Sequence, residues 1–311
     1  METGLTGSHR SALSADARTA VHRLCQVIAL AMTALSLWAI FSRVPLEPDF
    51  VAVQAGTLVL TVLFLVGLVY LVLRIGCGGS AVYWSGATGS GQVWRIGIMV
   101  IVALALQMSI GAVLDATGRL DRVTSSLVAL VVWISVPATF LALRIVKWPT
   151  RLGRASRAAL LLTALLGISF ACLLSYNSFD LSGGVFKAGS FGEASLLVGE
   201  VLVAAVPEEI VFRVLLLTAL LDLAATRFQA VFLSGVAFAA VHAPLAVIQP
   251  LIRADWPMLQ YAAYIYAPEF SLQAVAGFVL GVLWLRTDSI TLVILTHALL
   301  NLGTALGQGW L

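Results

Sequence analysis

Charged residues are scarce in this chain. Only 11% of its 311 residues are Asp, Glu, Lys or Arg, and 60% are hydrophobic, whereas a soluble domain carries about 25% charged residues. The charges fall mostly in short clusters between long apolar runs, which argues against an ordinary soluble enzyme and predicts a membrane protein. Because no basic patch is interleaved with exposed aromatics, the formal charge of +3 indicates membrane topology and no nucleic-acid partner.

Cysteines are few as well, and a cleavable secretory signal is not apparent. Cys25, Cys77 and Cys172 share no metal-binding spacing and lie in or beside apolar runs, so we expect inert thiols and no disulfide framework. The first apolar run is followed by Ser42-Arg43-Val44-Pro45, where a signal peptide would have small residues at a cleavage site. We therefore expect an uncleaved first membrane span.

Long apolar runs fill most of the remaining chain, and each is close to the length that spans a bilayer. They show no alternation of polar and apolar residues, so they are typical of helices and not of barrel strands. The sequence therefore predicts an all-α fold, a polytopic transmembrane helical bundle of about eight to nine spans. The runs are 26–41, 51–74, 95–114, 125–146, 158–175, 194–221, 229–249, 270–285 and 290–307.

Basic residues between the runs predict the orientation. Arg10, Arg18 and Arg23 precede the first run, and the loop after the fourth run is also rich in Lys and Arg. With nine spans these two segments share a side, which places the N-terminus in the cytoplasm of a plasma-membrane protein. We predict three parts: a cytoplasmic tail at 1–22, N-terminal spans of unknown role at 23–190, and a C-terminal core at 191–311.

Ionisable residues within a span are costly and usually mark function, and the first such motif is Pro207-Glu208-Glu209-Ile210-Val211-Phe212-Arg213. Residues four apart share a helix face, so Glu209 can pair with Arg213, whereas Glu208 points about 100° away. Glu208 thus stays available to face a partner helix, where desolvation favours a general base. A charged helix end at the lipid boundary is the structural alternative for this motif.

Two further motifs lie on later runs. In Phe238-Ala239-Ala240-Val241-His242, small residues would let a neighbouring helix approach and would place Phe238 beside the imidazole. His297 and Asn301 share a helix face on the last run. Taken singly, each motif can be explained by hydrogen bonds that hold membrane helices together. Taken together, a carboxylate pair, two histidines and an amide are enough to activate water and stabilise a tetrahedral oxyanion, as peptide hydrolysis requires.

These motifs, in this order on successive spans, resemble those of the CAAX protease and bacteriocin-processing enzyme family, also called the Abi family of intramembrane proteases. The resemblance covers about residues 193–307. It implies an intramembrane endopeptidase acting on a membrane-embedded or lipidated peptide, such as a CAAX-like C-terminus or a sorting signal. The matching motifs are Glu208-Glu209-x-x-x-Arg213, Phe238-x-x-x-His242 and His297-x-x-x-Asn301.

The resemblance also implies a role for each motif residue. Glu208 would be the catalytic carboxylate that activates water together with His242, while His297 and Asn301 would form the oxyanion site. The supporting residues would be Glu209, Arg213 and Phe238.

Two hypotheses on the cofactor remain, a zinc-dependent mechanism and a metal-free one. The family is often described as metal-dependent, and Glu208, His242 and His297 would suit a three-ligand zinc site. The chain lacks a His-Glu-x-x-His motif, and Asn301 fits an oxyanion donor better than a ligand for zinc. A metal-free glutamate mechanism is therefore favoured, with zinc as the alternative.

Two functions other than proteolysis fit some of the same residues. Carboxylate and histidine chains also form proton relays in transporters, but transporters usually have inverted repeats and helices broken in both halves. Here no repeat is found, and Pro207 interrupts one span only. A non-catalytic scaffold or bacteriocin-immunity member of the family would tend to lose a motif residue, and this chain retains all of them.

Overall fold

A computed structural model of the chain describes residues 15–41, 84–85, 90–151, 157–181, 190–224, 226–242 and 255–308. These residues form nine α-helices, one π-helical segment and one pair of short antiparallel strands. The helices are α1 (Ala15–Phe41), α2 (Ser90–Ala116), α3 (Arg122–Ala142), α4 (Arg157–Leu181), α5 (Phe191–Glu209), the π segment (Ile210–Leu217), α6 (Thr218–Leu223), α7 (Arg227–His242), α8 (Trp256–Thr287) and α9 (Ile290–Gln308). The strands are β1 (Trp84–Ser85) and β2 (Thr150–Arg151).

The predicted all-α class is confirmed. Eight of the nine apolar runs lie wholly or partly on described helices, and the run at 51–74 lies outside the described residues. Four described helices are long and apolar enough to cross a bilayer, at Thr19–Trp38, Gly91–Ala116, Val123–Ala142 and Phe270–Thr287. The number of spans, the side of each terminus and the three-part division of the chain stay predictions.

Helix α8 begins at Trp256, well before the apolar run at 270 that predicted it. Its start is fixed by Asp255, whose side chain accepts a hydrogen bond from the Met258 backbone N–H, and by Pro257 in the first turn, a residue suited to that position. The hydropathy pattern did not predict a helix at 256–269, because a capped helix need not be apolar along its whole length.

Several contacts join segments that the sequence places on one side of the membrane. Strand β1, before α2, pairs with β2, after α3, and Arg151 forms an ion pair with Asp288 in the α8–α9 turn. Near the start of α1, His22 Nδ1 lies 2.9 Å from Gln229 Nε2 near the start of α7. These segments therefore meet at one end of the bundle, as an alternating topology requires.

Helices α7 and α8 cross with their backbones in contact. An added Cβ at Gly235 would lie 2.7 Å from the Ala274 carbonyl oxygen, and one at Gly277 would lie 2.8 Å from Gly235 Cα. Only glycine allows this approach, and the crossing lies one turn before Phe238. The expected close approach at this motif is thus present, and it brings α8 beneath Phe238, whose Cδ1 would be 3.2 Å from the added Cβ at Gly277.

The main core lies around the π segment. Phe212, Leu215 and Leu217 of this segment are buried, and they belong to the same apolar cluster as Met99 of α2 and Trp133 of α3. Large apolar side chains on the outer faces of the helices remain exposed, which is expected where lipid replaces water as the solvent. The N-terminal helices α2 and α3 thus cover one side of the segment that follows Glu208 and Glu209.

Candidate active site

The first motif lies where α5 changes into the π segment. Glu209 ends α5, and residues Ile210–Leu217 continue as a π-helix, a rare conformation that is frequent at functional sites. Ser234 of α7 is fully buried and donates a hydrogen bond from Oγ to the Phe212 carbonyl oxygen at 2.7 Å. Neither the π segment nor the role of Ser234 was predicted, because this run is apolar apart from Arg213 and its sequence does not distinguish a π-helix from an α-helix.

Glu208 faces the two histidines. Its Oε2 atom lies 3.8 Å from His242 Nε2 and 3.7 Å from His297 Nε2. The side chains of Glu208 and His242 are 25% and 32% exposed, so this side of the cluster is open. The three helices α5, α7 and α9 therefore bring together three of the four predicted catalytic residues.

Glu209 faces the opposite way, into the bundle. Its Oε2 atom lies 3.0 Å from Arg213 Nε, and both side chains are fully buried, so the pair expected from the i, i+4 spacing is present. Its Oε1 atom lies 2.7 Å from His297 Nδ1, on a ring that is 3% exposed. Both contacts are short, but neither has the geometry of a hydrogen bond. Glu209 therefore bridges the arginine and a predicted catalytic histidine.

The groups that face Nδ1 constrain the proton positions on both imidazoles. His242 Nδ1 lies 2.8 Å from the Phe238 carbonyl oxygen, which can only accept, so Nδ1 carries the proton. His297 Nδ1 lies 2.7 Å from a Glu209 carboxylate oxygen, and this negative charge favours a proton on Nδ1. Each Nε2 atom facing Glu208 is consequently an acceptor in the neutral ring and a donor in the imidazolium.

Phe238 packs against three of the polar side chains. Its ring centroid lies 4.7 Å from that of His242 and 5.4 Å from that of His297. Arg213 Cζ lies 4.7 Å from the same centroid, a distance suited to a cation–π interaction. The expected contact with His242 is present, and the ring also forms the wall between the open and the buried sides of the cluster.

Asn301 lies one helical turn beyond His297 and is partly buried. Within the described part of the chain it makes no hydrogen bond to the other motif residues. The structure thus brings Glu208, Glu209, Arg213, Phe238, His242 and His297 into contact and leaves Asn301 beside them. Thr296, also buried, precedes His297 and was not predicted from the sequence.

The described residues do not form a metal site. No group of three His, Cys, Asp or Glu side chains in that part of the chain is arranged to hold a metal ion, and this includes Glu208, His242 and His297. Cys25 and Cys172 are free thiols, and Cys77 lies outside the described residues.

Comparison with known families finds one match in the C-terminal part of the chain. Residues 190–303 match the model of type II CAAX prenyl endopeptidase Rce1-like proteins, and all three motifs lie within this range. No curated protein and no solved structure matches the chain. The matched range is close to the one over which the motifs resemble the CAAX protease family. The chain therefore carries, at 190–303, a helical membrane protease domain of the Rce1-like CAAX protease family.

Proposed function

We propose that this protein is an intramembrane endopeptidase that uses Glu208 to activate water against a peptide bond of a membrane-embedded or lipidated substrate. One observation carries the proposal: a single carboxylate oxygen of Glu208 lies within 4 Å of the Nε2 atoms of both His242 and His297. The three groups come from three helices and converge on one point. Hydrolysis of an amide requires a base that activates water and hydrogen-bond donors that stabilise the oxyanion, and these three groups can provide both.

The separations support a water-mediated arrangement. At 3.7 and 3.8 Å the Glu208 oxygen is too far from either nitrogen for a direct hydrogen bond, but one water can bridge polar atoms at such distances. In the proposed step, Glu208 takes a proton from this water while the water oxygen bonds to the substrate carbonyl carbon. The carbonyl π electrons move to the oxygen, which becomes an oxyanion.

Donors for this oxyanion are available on α9. His297 offers an N–H at Nε2 when it is the imidazolium, and Glu209 beside Nδ1 stabilises that positive charge. Asn301, one turn further along, is the proposed second donor, through its amide. The tetrahedral intermediate then reforms its C=O bond, the C–N bond breaks, and the proton held by Glu208 moves to the leaving amine. Hydrolysis thus consumes one water and restores the ionised Glu208.

The open side of the cluster suits a substrate that arrives from the bilayer. Glu208 and His242 are partly exposed, whereas Glu209, Arg213 and His297 are buried. The family description names prenyl endopeptidases of CAAX substrates, which supports a lipidated C-terminal peptide as the substrate. We place the protein in the plasma membrane with its N-terminus in the cytoplasm, as the distribution of basic residues predicts.

Substitution of Glu208 tests the proposal. We expect Glu208→Gln to lower the rate of peptide cleavage by about 10²–10⁴-fold, the usual contribution of a general base, because glutamine cannot accept the proton of water. Purified protein in lipid vesicles is incubated with prenylated and unprenylated CAAX-type peptides, and the products are analysed by mass spectrometry. Glu200→Gln, on the same helix and also partly buried, is the matched control. Wild-type cleavage by Glu208→Gln would contradict the proposal, and uncleaved peptide with the wild type would favour a scaffold.

Removal of metal tests the alternative mechanism. We expect dialysis against a chelator, followed by buffer without metal, to leave the cleavage rate unchanged, since the proposed step needs only protein groups and water. The metal content of the protein is measured in parallel by inductively coupled plasma mass spectrometry. Loss of activity that zinc restores would instead favour a zinc-bound Glu208, His242 and His297.

A further inference from the structure

A polar pair lies between two apolar helices outside the family domain. Trp133 of α3 is buried and donates from Nε1 to Gln107 Oε1 of α2 at 2.9 Å. Both residues lie within the segments that are long and apolar enough to span the bilayer, Gly91–Ala116 and Val123–Ala142. Polar side chains within such segments are uncommon and are usually paired. The pair fixes the position of the indole between α2 and α3.

From Trp133 a continuous series of aromatic contacts leads to the active site. The Trp133 and Phe212 ring centroids are 6.2 Å apart, and those of Phe212 and Phe238 are 5.6 Å apart in an edge-to-face contact. Phe238 in turn contacts the imidazoles of His242 and His297 at 4.7 and 5.4 Å. Aromatic pairs favour such separations and tilted geometries. Each ring in the series therefore limits the orientation of the next.

Phe212 is the central residue of this series. It lies in the π segment four residues after Glu208 and is fully buried, and its carbonyl is held by Ser234 of α7. Its backbone is thus fixed from α7, while its ring lies between Trp133 and Phe238. If the Trp133 ring were removed, the Phe212 ring would be free to move toward α3, and Phe238 would lose its edge-to-face partner.

We infer that Trp133, held by Gln107, is a positioning residue that sets the orientation of His242 and His297 relative to Glu208. It acts through Phe212 and Phe238 and touches neither the histidines nor the substrate. The role in catalysis rests on the proposed function, but the effect on the imidazoles does not. Helices α2 and α3, which lie outside the matched range 190–303, thus take part in building the site.

Nitrogen NMR of the histidine rings tests the inference without an activity assay. The full chain, which has four histidines, is labelled with ¹⁵N-histidine and studied in lipid nanodiscs. Signals of the two active-site histidines are assigned by their loss in His242→Gln and His297→Gln. We expect Trp133→Leu to shift both ring signals while leaving that of His22 unchanged, and Gln107→Leu to cause smaller shifts of the same resonances. Trp94→Leu, a change on the exposed face of α2, should shift neither.

Cleavage kinetics provide the second readout. For Trp133→Leu we expect kcat to fall by about 10- to 100-fold, the scale caused by small misplacement of reacting groups, with KM within about twofold of wild type. Trp133→Phe keeps an aromatic ring beside Phe212 and should recover most of kcat.

Imidazole signals in Trp133→Leu that coincide with the wild type would overturn the inference. Equal shifts of His22 and the active-site histidines in the Trp133 and Gln107 variants would also overturn it, since general loosening would explain them. Shifted imidazoles in a protein that cleaves nothing would instead refute the proposed function alone.

Discussion

The protease domain at 190–303 has charged residues inside the bundle, whereas helices α2 and α3 have them only near their ends. In α2 the charged residues are Arg95 and Asp115, near its two ends, and α3 has only Arg122, at its start. In the protease domain Glu209 and Arg213 are fully buried and touch each other at the centre of the bundle. Both regions are otherwise apolar and helical. The two regions therefore differ in where charge is tolerated.

The comparison separates two uses of charge in a membrane protein. Charges at helix ends remain in contact with water and headgroups and cost little, whereas a charge within the bundle is expensive unless it is paired. Hydrophobic residues of similar volume could replace the Glu209–Arg213 pair with little loss of stability. Glu209 also contacts His297, and this contact provides the reason to keep a buried carboxylate. Under the proposed mechanism, the buried pair is therefore kept for the chemistry of the site.

The largest effect is expected from Glu209→Leu, which leaves Arg213 in the bundle without its carboxylate. Breaking a buried pair by removing one partner costs about 3–5 kcal/mol, and arginine cannot escape this cost by losing its proton. The free energy of unfolding is measured by denaturant titration in detergent. Glu200→Leu, on the same helix and only partly buried, is the control and should change it little. Equal losses in the two variants would remove the contrast between buried and peripheral charge.

An intermediate effect on stability is expected from the double variant Glu209→Leu/Arg213→Met. With both charges replaced by apolar side chains, most of the stability lost in Glu209→Leu should return, to within about 1–2 kcal/mol of wild type. Cleavage should not return, because His297 still lacks the carboxylate beside Nδ1. The same unfolding titration and the vesicle cleavage assay are used. Recovery of both stability and cleavage would mean that Glu209 serves the fold alone.

The sequence predicted those parts of the site that lie within one helix. The Glu209–Arg213 contact follows from the spacing of four residues, and the outward direction of Glu208 follows from the adjacent position. The contact between Glu209 and His297 was not predicted, because it joins α5 to α9 and depends on how the helices pack. From the sequence, Glu209 was expected only to support its own motif through Arg213. The structure shows His297 as its second partner.

Three other features show the same limit. The all-α class follows from long apolar runs, but the sequence of Ile210–Leu217, which is apolar apart from Arg213, does not indicate a π-helix. The glycine contact between α7 and α8 was anticipated only as a close approach near Phe238, since the sequence does not show which helix is the neighbour. Trp133 gave no functional signal at all, because its connection to the site passes through Phe212 in another part of the chain.

The smallest effect is expected at Asp121, a peripheral charge at the start of α3. Its carboxylate accepts a hydrogen bond from the Thr124 backbone N–H at 2.7 Å, and this bond lowers the pKa of Asp121 below its usual value. A group whose pKa is lower in the folded state stabilises that state above its unfolded pKa, and the contribution is lost as the pH falls through the folded pKa.

We expect Asp121→Ala to lower Tm slightly at neutral pH and to leave cleavage unchanged. The difference in Tm from wild type should narrow below about pH 4, the ordinary range of Asp. A loss of stability at neutral pH as large as that of Glu209→Leu would show that a charge at a helix end matters as much as one inside the bundle.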